Sequence, residues 1–381
     1  MVLFISFLVL AILASVFLNA VLLKFASNLG TRNQEGNLIR WSSQAKPSIG
    51  GIPFYVLFLV SGLFYATFYE QTDLLFESKL FGIFVACAVA FLLGFSDDAY
   101  NTKPLLKFLL QVFCAVILIY SDTYIKITPF VWLNYGLTVF WVIGIMNSIN
   151  MLDNMDGITA STSIFILINI LIILGFNGDF FGINSYIILG VLASLIGFLF
   201  FNWHPSKMFM GDTGSQFLGL FLSVVSINYV WNNQLPQSVE IQSQQLILVL
   251  LVFILPICDT TIVTINRLRR GKSPFVGGKD HSTHCLSYFG LSDTQVALLF
   301  MAISTVSSLM ILTILSSIDD WGYLNFFSFL LYFSIVFAFL FGVTQTNKAK
   351  DKLNEQLSKQ NTKPSLKVEF SEHRRKQQKS A

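Results

Sequence analysis

The sequence predicts an all-α protein, a polytopic membrane helix bundle of about eleven transmembrane helices with its N-terminus outside and its C-terminus inside. Three observations predict it. Hydrophobic residues make up 54% of the 381 and charged residues 12%, about half the charged share of a water-soluble domain. Stretches of about twenty apolar residues, the length a helix needs to cross a bilayer, recur along the chain. Lys and Arg fall almost wholly into alternate loops.

The eleven predicted spans cover 2–23, 50–69, 80–96, 105–121, 129–147, 159–176, 184–202, 213–231, 245–266, 294–315 and 323–345. The first lacks a basic leader and outruns the apolar core of a signal peptide, so it reads as a retained helix. The segment 80–96 is the short one. Spans 129–147 and 159–176 are parted mainly by the polar run between them. Amphipathic periodicity is weak throughout, as expected of helices that are apolar on most faces. Residues 1–345 read as one integral-membrane domain. Residues 346–381 read as a basic, disordered tail, with ten Lys/Arg against four acids. Cys87, Cys114 and Cys258 lie within apolar runs, where cysteine behaves as a small hydrophobe. The four cysteines do not make a disulfide framework.

Orientation follows from the basic residues, which accumulate on the cytoplasmic side. The loops 24–49, 97–104, 148–158, 203–212 and 267–293, with Lys107 and the tail, hold 22 of the 24 Lys/Arg. The opposite loops hold Lys79 and Lys126 only.

The unusual polar residues share that basic side. They lie in "GFSDDAYNTKPLLKFLLQ" (94–111), "NSINMLDNMDG" (147–157), "FNWHPSKMFMGDTGSQFLG" (201–219) and "RLRRGKSPFVGGKDHSTHCLSYFG" (267–290). Asp97, Asp98, Asp153, Asp156 and Asp212 are five acids near helix ends. Their mutual repulsion calls for a cation, either a bound divalent metal or neighbouring Lys and Arg. Oxygen donors of this kind suit Mg²⁺ or Mn²⁺. Asn147, Asn150, Asp153 and Asp156 recur every three residues. Three-residue steps drift by about 60° around an α-helix, so one face cannot hold all four and the helix should tighten or end near Gly157.

The 267–293 loop carries Arg267, Arg269, Arg270, Lys272 and Lys279 ahead of His281 and His284. Such a loop suits anionic phosphates, although the positive-inside rule alone would also supply its charges. Its "GKS" at 271–273 is not a phosphate-binding loop, because Asn266 stands where that pattern needs glycine. Zinc is not expected at His281, His284 and Cys285, which lack a second ligand pair. Asp259, about 12 Å before Arg267 along a helix, is an intramembrane acid that signals either function or a buried pair.

Together these segments resemble the polyprenyl-phosphate N-acetylhexosamine-1-phosphate transferases, relatives of the phospho-N-acetylmuramoyl-pentapeptide transferase grouped in glycosyltransferase family 4. The resemblance runs from about residue 46 to 290. "KPSIGG" at 46–51 resembles the family's Pro-containing double-glycine loop, and Asp97-Asp98-x-x-Asn101 its aspartate-rich motif, with Asn replacing the usual final Asp. Lys107 and Gln111 fit the helix that follows. Asn147-x-x-Asn150-x-x-Asp153-x-x-Asp156-Gly157 resembles the family signature, with Asn154 where Gly is frequent, and "FMGDTGS" at 209–215 another. His281-Ser-Thr-His284 resembles the histidine motif of the sugar-phosphate branch, with Cys285 as a departure from forms carrying a further His.

The resemblance implies an eleven-span enzyme using Mg²⁺ (Mn²⁺ as substitute), a UDP-N-acetylhexosamine and a polyprenyl phosphate in the bacterial inner membrane, its active site facing the cytoplasm. Carried over residue by residue, Asp212 is the metal ligand with Asn150 its companion. Asp97 or Asp98 sits by the lipid phosphate. Phe209 and Asn202 lie near the uridine, and Asp153 and Asp156 line the nucleotide pocket. His281 and His284 face the diphosphate or sugar. Lys46, Lys107, Asn147, Arg269, Arg270 and Lys272 complete the substrate-binding set. The expected reaction is direct attack of the lipid phosphate on the sugar-bearing phosphorus, with UMP leaving. Membrane lipid is an expected partner, nucleic acid is not, and a homodimer stays open. The rival readings are an ion-coupled transporter, whose acids usually lie near mid-membrane, and a non-catalytic scaffold.

Overall fold

The structure, a computed structural model, describes residues 1–28, 46–233, 243–274, 278–316 and 321–346. The predicted tail, apart from Thr346, lies outside them. Thirteen α-helices follow one another: α1 (Val2–Asn28), α2 (Ile52–Phe68), α3 (Ser78–Tyr100), α4 (Pro104–Tyr120), α5 (Val131–Leu152), α6 (Ile158–Phe176), α7 (Ile183–Asn202), α8 (Gly211–Ser226), α9 (Ser243–Val252), α10 (Ile254–Arg269), α11 (Ser282–Phe289), α12 (Asp293–Ser316) and α13 (Tyr323–Thr344). A π turn, Ile227–Trp231, extends α8. No strand occurs among the described residues; Ser48 and Phe209 form one isolated parallel bridge.

Every predicted span but the ninth lies on a single helix, the eighth continuing into the π turn. Among the described residues eight helices are long and apolar enough to cross a membrane, or nine spans if the bent pair α9 and α10 is counted as one. Ile52–Phe68 and Pro104–Tyr120 are apolar but shorter. The ninth predicted span needs correction. It is not one straight rod, because it breaks at Phe253 and the two halves bend by 81°. Pro256 explains the break: its ring clashes with the carbonyl four residues back, that of Val252, and it offers no N–H. The short α11 lies within the segment 267–293 that the sequence predicts as a loop.

The bundle is built around α8. Of its span, 89% is buried, against 11% of α13. The helix packs against α3, α5 and α2. Gly94 is what lets α3 approach so closely. A Cβ there would stand 2.1 Å from the Asp212 carbonyl oxygen and 2.6 Å from Thr213 Cα, so any side chain would force the helices apart. The chain therefore holds the first turn of α8 directly against the last turns of α3, where two aspartates follow. The predicted end of α5 also holds. The helix stops at Leu152, and Gly157 takes a left-handed φ of 75° to start α6.

Candidate active site at the helix ends

Asp98 lies one turn beyond Gly94 and uses both carboxylate oxygens on the N-terminus of α8. Oδ1 accepts the Asp212 backbone N–H at 3.0 Å; Oδ2 accepts the Thr213 N–H at 2.8 Å and its hydroxyl at 2.6 Å. The first N–H groups of any helix lack internal acceptors, and here a carboxylate from another helix supplies them. Its charge also complements the positive end of the helix dipole.

Asp97 turns elsewhere. Its Oδ1 accepts the Thr102 N–H at 2.8 Å and hydroxyl at 2.7 Å, closing the turn after α3. Its Oδ2 pairs with the Lys107 ammonium. Lys107 also reaches Asp212 Oδ2 at 3.3 Å, so one cation sits between two carboxylates. The Asn150 amide donates to Asp212 Oδ1 at 2.6 Å and to Ser215 Oγ at 2.8 Å. Of the two acids paired with Lys107, Asp212 is the open one: its side chain is 32% exposed and that of Asp97 is 3%. One turn deeper, Gln111 bonds Gln216 at 3.0 Å and receives the Asn147 amide at 2.9 Å. That polar ladder fixes α4, α5 and α8 in register beneath the charges.

A second group adjoins the first through the 46–51 loop. Phe209 donates its N–H to Pro47 at 2.9 Å, while Gly50 and Gly51 bond the carbonyls of Phe209 and Met210, each at 3.0 Å. Lys46 thereby stands over the Phe209 ring, 5.2 Å from its centre. It donates to Ser206 Oγ at 2.9 Å and lies 3.8 Å from Asp156. Asp156 accepts the Ser206 N–H and hydroxyl at 2.9 and 2.7 Å, with His204 Nδ1 at 3.2 Å. Asp153 caps the end of α5, half-buried. Asn202 is buried and bridges the Gly157 N–H to the Met208 carbonyl.

The third group belongs to α10, α11 and the loop between them. His281 is bonded to Asp259 and His284 is buried. Arg267 is fully engaged with Asp280 through two bonds of 2.9 and 2.6 Å, and with the Pro274 carbonyl at 2.8 Å. Burial works against the Asp280 charge, but this fork outweighs it and holds the carboxyl below its usual range. Arg269, Arg270 and Lys272 stand exposed at the end of α10, with Arg269 stacked on the Phe341 ring at 5.3 Å. Burial, with His281 next, pushes His284 down to about 3 from its ordinary 6.5.

These shifts predict acid loosening. Between pH 6.5 and about 3 the unfolded His284 binds a proton that the folded one does not, so stability falls as pH drops through that window. Asp280 acts in the same direction, its contribution being lost as pH falls toward its lowered value. Hydrogen exchange corrected for intrinsic pH dependence should show residues 279–290 losing protection below about pH 6, and less so in His284→Gln.

The structure thus brings Asp97, Asp98, Lys107, Asn147, Asn150 and Asp212 into one network and Lys46, Asp156 and Phe209 into the adjoining one. Sequence reasoning missed Thr102, Thr213, Ser206, His204 and Gln216. Gln216 was findable, since it sits four residues after Asp212 as Gln111 does after Lys107. For holding a metal the open donors are the Asp212 carboxylate and the Asn150 amide oxygen. Among the described residues no three His, Cys, Asp or Glu side chains close into a metal cage.

The profile of glycosyl transferase family 4 matches residues 80–230. Among similar proteins, a probable undecaprenyl-phosphate N-acetylglucosaminyl 1-phosphate transferase of Bacillus subtilis (strain 168) is 28% identical over 93% of this chain and 96% of its own. A decaprenyl-phosphate N-acetylglucosaminephosphotransferase of Mycobacterium leprae (strain TN) is 30% identical over 66% of this chain and 69% of its own. A phospho-N-acetylmuramoyl-pentapeptide-transferase of Staphylococcus saprophyticus is 27% identical over 75% and 89%.

Proposed function

The chain belongs to glycosyl transferase family 4, and from that premise we propose that it moves an N-acetylhexosamine 1-phosphate from a UDP-sugar to a polyprenyl phosphate, releasing UMP. The observation that carries this reading is the Asp97–Lys107–Asp212–Asn150 network lying beside the Lys46–Asp156–Phe209 group. One group manages phosphate charge. The other offers an aromatic face with flanking charges, suited to a nucleotide base.

The protein is an integral membrane protein. We read eleven crossings, taking the bent pair as one and adding α2 and α4, with the site at the cytoplasmic face of the bacterial inner membrane. The catalytic domain is then the bundle 1–345. The isoprenoid lies in lipid against the apolar outer faces while its head reaches the helix ends.

Chemistry follows from charge. The lipid phosphate has a second pKa near ~6 and is mostly dianionic at neutral pH, so no strong base is needed. Its oxygen attacks the sugar-bearing phosphorus, the bond to UMP breaks, and a polyprenyl diphosphate-linked sugar forms. Bringing two anions together is the main barrier, and preorganised positive charge lowers it. Lys107, held by Asp97, is aimed to receive the acceptor phosphate. Asp98 keeps the N-terminus of α8 in place. Arg269, Arg270 and Lys272 are available to the diphosphate.

Mg²⁺ fits the donors present. It binds through one or two carboxylates and completes its shell with water and substrate phosphates, which suits the half-exposed Asp212 carboxylate with Asn150 beside it. When bound, it would neutralise the diphosphate and the departing UMP.

The test is direct. Purified protein in lipid nanodiscs, given UDP-N-acetylglucosamine, polyprenyl phosphate and Mg²⁺, should release UMP only when the lipid is present. A panel of UDP-N-acetylhexosamines that yields no lipid-dependent UMP overturns the reading.

A further inference from the structure

Asp259 is the intramembrane acid with no part in the chemistry above. It is 1% exposed and lies in α10, six residues after the break at Phe253. Three donors converge on it. His281 Nδ1 lies 2.8 Å from Oδ2, and Oδ1 accepts the Ser282 N–H at 2.8 Å and hydroxyl at 2.6 Å. That is the bonding of an ionised carboxylate, which only accepts. It fixes two things together. It caps the first turn of α11, and it puts the His281 hydrogen on Nδ1, leaving Nε2 as the free edge of the ring.

The next residue of α11 reaches across to the turn between α5 and α6. The Thr283 hydroxyl donates to Asn154 Oδ1 at 2.7 Å, and His284, which follows it, is buried. Asn154 spends its own amide on the Met151 carbonyl at 2.9 Å. The turn that carries Asp153 and Asp156 is therefore held from α11, and α11 is held from Asp259. Upstream, the Ser148 hydroxyl bonds the Pro256 carbonyl at 2.8 Å and Thr260 Oγ1 at 2.7 Å, so α5 and α10 are pinned to each other on the near side as well.

We propose that Asp259 is a positioning residue that sets the His281 tautomer and, through Thr283 and Asn154, the placement of the nucleotide-lining turn. This deepens the transferase reading and rests on it for its kinetic arm. The coupling has a physical basis: the bend at Phe253 fixes where α10 points, the Asp259 bonds to His281 and Ser282 are buried, and the Thr283–Asn154 bond that follows is half-buried. A shift of α10 is passed to Asp153 and Asp156 through a contiguous chain of contacts.

The experiment uses the full chain in nanodiscs with four variants: Asp259→Asn, Thr283→Val, Thr283→Ser and His281→Gln. ¹⁵N-histidine NMR, with His281→Gln for assignment, reads the tautomer without any turnover. The parent should carry the His281 hydrogen on Nδ1. Asp259→Asn should move it to Nε2 and lower kcat by about 10²-fold per folded molecule, by the tautomer logic of carboxylate–histidine pairs. Thr283→Val should raise KM for the UDP-sugar about tenfold, the worth of one hydrogen bond, with kcat little changed. Thr283→Ser should restore it. A His281 signal unmoved in Asp259→Asn, or a donor KM unmoved in Thr283→Val, overturns the proposal. If Asp259→Asn does not fold, the Thr283 pair and the parent tautomer decide the matter. A parent that shows the Nδ1 tautomer but transfers nothing overturns the transferase reading and leaves the Asp259–His281 link standing.

Discussion

Asp212→Asn is expected to lose about 10³-fold in turnover, the scale reached when a preorganised electrostatic contact to the transition state is removed, while folding as the parent does. The fold should survive because little of it depends on this carboxylate. The side chain is 32% exposed, and its two partners keep others: Lys107 retains Asp97, and the Asn150 amide retains Ser215 Oγ at 2.8 Å. Backbone N–H groups at this end of α8 are satisfied by Asp98, not by Asp212. What is lost is the open negative charge next to Lys107. With Asn at 212 the ammonium is neutralised once and not twice, and the hard anionic donor for Mg²⁺ is gone. Asp212→Glu should keep part of the activity and need more Mg²⁺ to reach it. UMP release and a thermal melt on the same preparations check both halves. An Asp212→Asn enzyme within tenfold of the parent would remove this carboxylate from the chemistry.

Which parts were legible in the sequence, and which were not, has a physical reason in each case. The helices were legible because twenty apolar residues in a row admit one solution in lipid. The meeting of the four polar segments was legible because charge in a membrane is costly and collects where it can be shared. The division of labour between Asp97 and Asp98 was not. Adjacent residues on a helix point about 100° apart, and only the packing of α8 against Gly94 decides which of them meets a helix end 114 residues away. Arg267 read as part of a basic loop, yet its guanidinium is buried on Asp280. No local pattern distinguishes a solvated arginine from one that packs against its own loop. The bend at Phe253 did have a local cause, Pro256, which an apolar tally passes over because proline costs little hydropathy. The role of Asp259 needed its partner, and His281 is 22 residues further on.

The two neighbouring aspartates should fail in different ways. In Asp98→Ala, two backbone N–H groups at the start of α8 lose their acceptor, each costing roughly 1–3 kcal/mol if left unpaired, and the helix loses a favourable charge at its N-terminus. The expected loss is ~3–5 kcal/mol of stability, enough to collapse the yield of folded protein. Asp98→Asn keeps one acceptor oxygen and should cost ~1–2 kcal/mol, near the price of a lost helix cap, with activity per folded molecule close to the parent. Asp97→Asn should do the reverse. Its remaining oxygen keeps Thr102 and so the turn after α3, but its amide cannot pair with the Lys107 ammonium. Lys107 then swings toward Asp212 alone, the acceptor phosphate loses its aimed cation, and turnover should drop about 10²-fold with a melt near that of the parent. Activity normalised to folded protein, measured beside thermal unfolding for the three variants, separates the roles. If Asp98→Asn folds normally and is as inactive as Asp97→Asn, then Asp98 meets the substrate and the division drawn from its hydrogen bonds is wrong.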